Sequence, residues 1–548
     1  MTLPQELPES SYTLVGGTIV DGTGAAGYVG AIVIAGDRIV SVGTDVEPRG
    51  TIVDVSGLAV APGFIDMHSH SDLVCMSDPQ LVPKLRQGIT TELLGQDGLS
   101  EAPIPPEYVP MWRQHLSGLN GDPDVPWDWR SFGEYLDRCG GTALNLAAMV
   151  GHGPIRLHVL GMENRAPSQA ELDRMGEVLD LALAEGAVGF STGLIYSPCV
   201  YSGTEELIAL GRIVARHGSF MVYHMRYEGE RVLEGMEEVF RIARESGAAC
   251  HISHFKARGR QAWGKAQAMV EAVERARTEG LDVTADQYPY LAGSTMLGAL
   301  LPPWCHAAGT EGVRRYLEDP RLRGRIKGEI EQGRSDWEST IVAVGWTNIV
   351  ISGVRTERNR SFIGQRLPEI AAAWSVEPYD AMVSLLLEED LDVSMIIHAL
   401  LEDDVRTIMA APWVMTCTDG LMGGEPHPRT YGTFPRKLGH YVREVGLEPL
   451  EEAVRKMTSL SAWRLGLPDR GVLRANVFAD LTIFDPDTII DHATYEAPKV
   501  HPDGIVHVVV NGVPAVWNGR ETGRLAGRPL RRQVRALGSQ PRTQATRA

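Results

Sequence analysis

Residues 61–72 read APGFIDMHSHSD. An apolar run holding Leu58, Val60, Phe64 and Ile65 leads into His68-Ser69-His70. Alternate residues of a strand point to one face, so His68 and His70 are expected to project side by side. Two neutral imidazoles at that spacing suit a divalent metal such as zinc. Taken alone the pair is a weak signal, because two surface histidines on a loop would read the same way. The other histidines and acids of the chain decide between the two readings.

On the N-terminal side of this stretch, short apolar runs alternate with glycine turns, in TLVGGTIVDGTG, GAIVIAGDRIVSVG and TIVDVSGLAVAPG. This is the pattern of short strands joined by turns. The same texture returns late, in ADLTIFDP and GIVHVVVNGVPAVWNG. The two ends are therefore expected to meet in a small β-sandwich, residues 1–62 with 469–530. In between, LRQGITTELLGQDG, TALNLAAMVGHG, AVGFSTGL, GSFMVYHMR, GAACHISHFK, LDVTADQYPY and WVMTCTDG each read as a buried strand ending in polar residues. Helical segments such as SQAELDRMGEVLDLALAEG and GERVLEGMEEVFRIARESG separate several of them. Repeated strand-helix units with functional residues at strand C-termini describe an α/β fold, a (β/α)8 TIM-like barrel over 63–468. Residues 297–374 break the rhythm with a charged stretch holding Trp304, Trp337 and Trp346. They are expected to form an insertion over the barrel mouth. Residues 531–548 read as an Arg-rich, solvated tail.

Five more polar positions fall at expected strand ends: Asp97 in LLGQDG, His152 in VGHGPIR, His224 in VYHMR, His254 in HISHFK and Asp419 in TCTDG. One of these alone would more often be structural. All of them at the same end of successive strands, with the His68/His70 pair, describe a metal hydrolase site. Lys256 lies two residues beyond His254 on the same expected face, and Arg429 lies in the HPRTYGTF loop. Both suit a substrate carboxylate held by charge-assisted hydrogen bonds; the plainer alternative is solvated surface charge. His152 reads either as a helper polarising a scissile carbonyl or as a turn histidine bonded to backbone.

The runs GGTIVDGTG, GDRIVSVG, PGFIDMHSH, GHGPIR, STGLIYSPCVYSGTEEL, YHMRYEGE, HISHFK, ADQYPYLAGST, HPRTYGTFPR and ADLTIFDP have no generic structural reason to occur together. On them the chain resembles the amidohydrolase superfamily and, within it, the D-aminoacylase (N-acyl-D-amino-acid deacylase) family. The resemblance implies a barrel carrying a β-sandwich built from both chain ends. It implies metal ligands at His68, His70, His224, His254 and Asp419, one or two zinc ions, and substrate contacts at Lys256, Tyr288, Ser294 and Arg429. One position departs from the family, whose GNCG turn carries a cysteine ligand. Here the turn is GQDG, with Asp97 at that place. A carboxylate can bind or bridge zinc but is harder than thiolate. Some related enzymes bridge two metals with a carboxylated lysine. Between His70 and His224 the sequence offers Lys84, in a helical-looking segment, which leaves Asp97 as the better bridge.

The implied activity is hydrolysis of an N-acyl-D-amino acid to a carboxylate and a free D-amino acid. A bound zinc lowers the pKa of its water towards ~7. Asp419 would accept that water's proton and pass it to the departing amine. The preference for the D-isomer rests on the resemblance alone. Alternatives are a dipeptidase acting before a D-residue, a cyclic amidase of the dihydropyrimidinase kind, or a catalytically silent barrel. The partner is expected to be a small-molecule substrate, with homo-oligomerisation left open. A net charge of −18 argues against nucleic acid, which would want a basic face. No apolar run is long enough to span a membrane, and the six scattered cysteines show no CxxC spacing. These features suggest a cytoplasmic protein with reduced thiols.

Overall fold

The expected apolar runs pair as parallel strands with both faces covered. The computed structural model describes residues 7–8, 10–334 and 336–532, so the expected tail lies, from residue 533 onward, outside the described residues. Phe64–Asp66 pairs with Ile89–Leu94, and that strand with Asn145–Ala148. The third strand continues as Val150–Gly151, which pairs with Phe190–Gly193. Phe220–His224, Ala249–Ile252, Val283–Gln287 and Val414–Thr416 follow in order, each parallel to the last. The ring closes where the Met67 amide donates to the Thr416 carbonyl and Ser69 bridges Gly420. Eight parallel strands thus form the barrel.

Side chains alternate across the strands as the pleat requires. Ile65, Leu93, Val222 and Met415 belong to one core cluster, while Phe64, Leu94, Tyr223 and Ile252 belong to the other. The helices follow local sequence signals. Gln169–Ala184 begins with a capping box made by Ser168 and Glu171. Val232–Ser246 ends at Gly247, whose φ of 75° needs a residue without Cβ.

The two chain ends meet in one nine-stranded sheet. Ser11–Ile19 pairs with Tyr28–Ala35, Thr51–Asp54 and Ala59–Pro62. Ala59–Pro62 then joins Leu481–Phe484, the first strand of the late segment. Tyr12, Ile34, Val60, Leu481 and Val509 share its core. The expected sandwich is therefore joined edge to edge as a single sheet. Two expected boundaries are corrected. Pro529–Leu530 leaves this sheet and pairs with the barrel strand Asn145–Ala148. The insertion is wider than 297–374. It is a three-stranded antiparallel sheet of Ala292–Met296, Ile349–Val354 and Val393–His398, with helices between them. The strands that begin and end it in the sequence, Ala292–Met296 and Val393–His398, are short and uncharged, without the charge that marks its middle.

Candidate functional site: a metal centre at the barrel mouth

His68, His70, Asp97, His224, His254 and Asp419 come from the C-terminal ends of five strands and are all buried. The two Nε2 atoms of His68 and His70 lie 3.0 Å apart. Asp97 stands between two histidine pairs. Its Oδ2 is 3.7 Å from His68 Nε2 and 3.6 Å from His70 Nε2. Its Oδ1 is 3.4 Å from His224 Nδ1 and 3.4 Å from His254 Nε2. Asp419 Oδ1 lies 3.4 Å from both His68 and His70 Nε2. Asp97 Oδ1 and both ring nitrogens of His224 are buried without a hydrogen-bond partner. Such groups are costly to bury bare; a cation between Asp97 Oδ1 and His224 Nδ1 would satisfy both, while His224 Nε2 faces Glu228. Three sets fit one ion each: His68 with His254 and Asp419, His68 with His70 and Asp97, and Asp97 with His224 and His254. Imidazole nitrogens with carboxylate oxygens suit zinc and tolerate harder divalent ions.

Three of these residues hold left-handed backbone, with φ of 57° at Asp97, 37° at His254 and 47° at Asp419. Each such conformation costs about 1–3 kcal/mol unless its surroundings impose it. Here the His254 amide donates to Asp286 Oδ1 at 2.6 Å, and the Asp419 amide donates to the His68 carbonyl at 2.8 Å.

A second layer aims the rings. His68 Nδ1 meets Ser253 Oγ at 2.5 Å, and Ser253 donates to Asp286 Oδ2 at 3.2 Å, which leaves His68 Nε2 for the cluster. Glu228 reaches both other histidines, with Oε2 3.4 Å from His224 Nε2 and Oε1 3.3 Å from His254 Nδ1. Burial pushes His68 down to about 3, so it is neutral and able to ligate. Burial would raise the Asp419 carboxyl, but Arg429 and the neighbouring histidines hold it below the usual carboxylate range. Asp97 is held low in the same way, by His68, His224 and His254 against burial.

The cluster floors a cavity. Lys256, Tyr288 and Ser294 line it, together with Asp97, His224, His254, Glu228 and Asp419. Lys256 Nζ is engaged, donating to Glu228 Oε1 at 2.6 Å and lying 2.7 Å from His254 Nδ1. Arg429, expected to grip a substrate carboxylate, is fully buried and is not among the lining residues. Its Nη1 lies 2.8 Å from Asp419 Oδ2, its Nη2 donates to the Ser294 carbonyl at 3.1 Å, and its guanidinium stacks 4.5 Å from the Tyr288 ring. His152, expected to help at the carbonyl, also stands elsewhere. It opens the helix His152–Leu160, with Nε2 2.8 Å from Glu206 and Nδ1 3.0 Å from Thr192. Both ring nitrogens are engaged by side chains, not by backbone as the turn reading expected.

Sequence reasoning missed Glu228, Arg258 and Tyr196. Glu228 had a signal, since it lies four residues after His224 within YHMRYEGE. Arg258 continues the alternation His254, Lys256 along HFKAR. Tyr196 packs its ring edge-on to His224 at 5.1 Å, which no spacing reveals. Lys84 is buried inside the protein and bound to Asp66, Ser69 and Thr418, not to the cluster.

A family model described as the amidohydrolase family matches residues 51–321 and 352–516. A D-aminoacylase of Alcaligenes xylosoxydans xylosoxydans is 37% identical over 95% of this chain and 97% of its own length. An N-acyl-D-glutamate deacylase of the same organism is 35% identical over 96% and 97%. The crystal structure of an N-acyl-D-glutamate deacylase from Bordetella bronchiseptica, complexed with zinc and a phosphonate inhibitor, superimposes with a TM-score of 0.80. It is 33% identical and covers 95% of this chain and 99% of that one.

Proposed function

The chain belongs to the amidohydrolase family, and on that premise we propose that it hydrolyses N-acyl-D-amino acids to a carboxylate and a free D-amino acid, using zinc. The observation that carries this reading is the convergence of His68, His70, Asp97, His224, His254 and Asp419 on one buried point beneath a cavity. His224, His254 and Asp97 would hold one ion. His68, His70 and Asp419 would hold a second, with Asp97 shared. An ion there supplies Lewis acidity, polarising an amide carbonyl and acidifying water.

The chain's own residues do the rest. Arg429 binds Asp419 Oδ2 and leaves Oδ1 facing the histidines. Asp419 is thus ionised and aimed, able to take a proton from the attacking water and return it to the departing amine nitrogen. Ser253 and Glu228 keep the histidine rings in register. Lys256, Tyr288 and Ser294 are assigned to contact with the substrate. The D-isomer is taken from the names of the relatives.

Metal content and turnover of purified protein test this on N-acyl-D-amino acids, their L-isomers, dipeptides ending in a D-residue and cyclic amides. The expected result is bound zinc and the highest kcat/KM on N-acyl-D-amino acids, lost with chelator and restored by zinc. Preference for a dipeptide or a cyclic amide would overturn it.

A further inference from the structure

The hydrogen bonds behind His68 do not stop at Asp286. Asp286 Oδ2 also meets His251 Nε2 at 2.7 Å, and His251 Nδ1 meets Thr284 Oγ1 at 2.8 Å. Arg464 Nε donates to Thr284 Oγ1 at 2.8 Å, and Arg464 Nη2 donates to Asp282 Oδ1 at 2.7 Å. His251 and Thr284 stand opposite each other in paired strands, in register with Val222, and both are fully buried. Asp282 lies just before its strand, at the end away from the metal centre, and its side chain is 40% exposed. With Arg464 it lines a separate cavity of about 330 Å³. One chain of polar groups thus runs from the metal centre through the buried strands to the opposite end of the barrel.

The direction of its hydrogen bonds is set at the far end. A guanidinium only donates, so Thr284 Oγ1 accepts from Arg464. The threonine's own proton is then free for His251 Nδ1. Burial holds the His251 imidazole below its usual range, so the ring is neutral and carries one proton. With Nδ1 accepting, that proton sits on Nε2 and goes to Asp286. Asp286 then accepts three hydrogen bonds, from His251 and Ser253 at Oδ2 and from the His254 amide at Oδ1. Ser253 has given its proton to Asp286, so it accepts from His68 Nδ1 and leaves His68 Nε2 bare toward the cluster. A His251 protonated on Nδ1 instead would press a lone pair against Asp286 and displace the carboxylate that orders Ser253 and the His254 amide.

We infer that His251 is a positioning residue for the metal centre: held as the Nε2-protonated tautomer by Thr284 and Arg464, it fixes Asp286, and through Asp286 it sets the His68 ring and the left-handed turn at His254. This rests on the zinc centre proposed above. It carries the support of two ligands to residues at the far end of the barrel, which touch neither metal nor substrate.

Histidine-selective 15N NMR of the full chain reads the tautomers, with the His251 signals identified by their loss in His251→Gln. The expected result is a protonated Nε2 and a bare Nδ1. A proton on Nδ1, or on both nitrogens, would overturn the inference. Zinc affinity is then measured by competition with a chelator. His251→Leu should bind zinc about 10–100-fold more weakly than wild type. His251→Gln, whose side-chain amide still donates to Asp286, should recover most of that loss. Unchanged affinity in His251→Leu, or an equal loss in His251→Gln, contradicts a positioning role. If His251→Leu does not fold, Thr284→Val decides, since it keeps the shape and drops only the hydroxyl. Weaker zinc binding with a shifted His251 Nδ1 signal supports the inference, and unchanged binding overturns it. If wild type binds no zinc, the proposed function fails and the His68 ring decides separately. A His68 Nδ1 signal that moves between wild type and either variant supports the inference, and one that stays overturns it.

Discussion

The two halves of the metal centre are held in different ways. His68 and His70 do not line the cavity. They are backed by a dry charge cluster, in which Lys84 Nζ lies 2.9 Å from Asp66, 2.6 Å from Glu92, 2.9 Å from Ser69 Oγ and 2.8 Å from Thr418 Oγ1. That one ammonium touches the residue between the two histidines and the residue before Asp419. His224 and His254 instead line the cavity, and their support, Glu228, lines it with them. The inner half is built to stay still, while the outer half shares its supports with the space a substrate would enter. Changes on the inner side should therefore register first in stability and metal retention. Changes on the outer side should register in metal affinity and substrate use.

Asp419 belongs to both halves and should show the largest effect. Asp419→Asn removes the proton carrier while keeping its shape, so kcat should fall about 10²–10⁴-fold with most of the metal retained. Near wild-type kcat would take Asp419 out of the proton path. Lys84→Met leaves Asp66 and Glu92 buried without their cation, a loss of about 3–5 kcal/mol. Urea unfolding of the metal-free protein reads this directly, and an unchanged midpoint would mean that the inner half is not anchored there.

Glu228→Gln probes the outer half. Losing a carboxylate behind two histidines should weaken metal binding about 10–100-fold, measured by competition with a chelator, with a smaller unfolding loss than Lys84→Met, because the Lys256 it leaves behind faces the cavity while Lys84 is sealed. A stability loss as large as that of Lys84→Met would erase the distinction between the halves. The smallest effect expected is that of Arg429→Met on pH dependence. Arg429 favours the ionised form of Asp419, so its removal should raise the Asp419 pKa. The acidic limb of the pH-rate profile should then move upward, by about 1 unit or more, with activity lost at higher pH than in wild type. A limb that stays in place would free Asp419 from Arg429.

The residues that converge at the barrel mouth were legible as candidate ligands because strand periodicity and strand-end position are local properties. His68 and His70 stand two residues apart, and each of the other ligands ends or follows an apolar run. Partnerships were not legible, because they join residues far apart in the chain. Arg429 and Lys256 were read as grips for a substrate carboxylate, but a sequence does not say which acid neutralises which base. Arg429 is spent on Asp419 and Lys256 on Glu228. His152 misled for the same reason. Its place at a strand end matches the ligands, yet Glu206, 54 residues away, claims its ring. The insertion was seen by its charge and tryptophans, while its bounding strands carry neither and so fell outside the expected limits. Asp97 and Asp419 each precede a glycine, a turn signal in which aspartate tolerates left-handed backbone, whereas nothing in the sequence marked the backbone of His254.

Asp97 joins the two halves, one oxygen facing each histidine pair, and it is where this chain departs from the cysteine of the family turn. Asp97→Cys should keep metal, with a stronger preference for zinc over harder ions such as manganese. The most direct measurement is the metal content of purified Asp97→Ala beside that of wild type, with activity assayed on the same samples. Metal and activity should be lost together, because neither histidine pair keeps its carboxylate. Full metal occupancy with normal turnover in the Ala protein would show that Asp97 only shapes its turn and that the centre is not built around it.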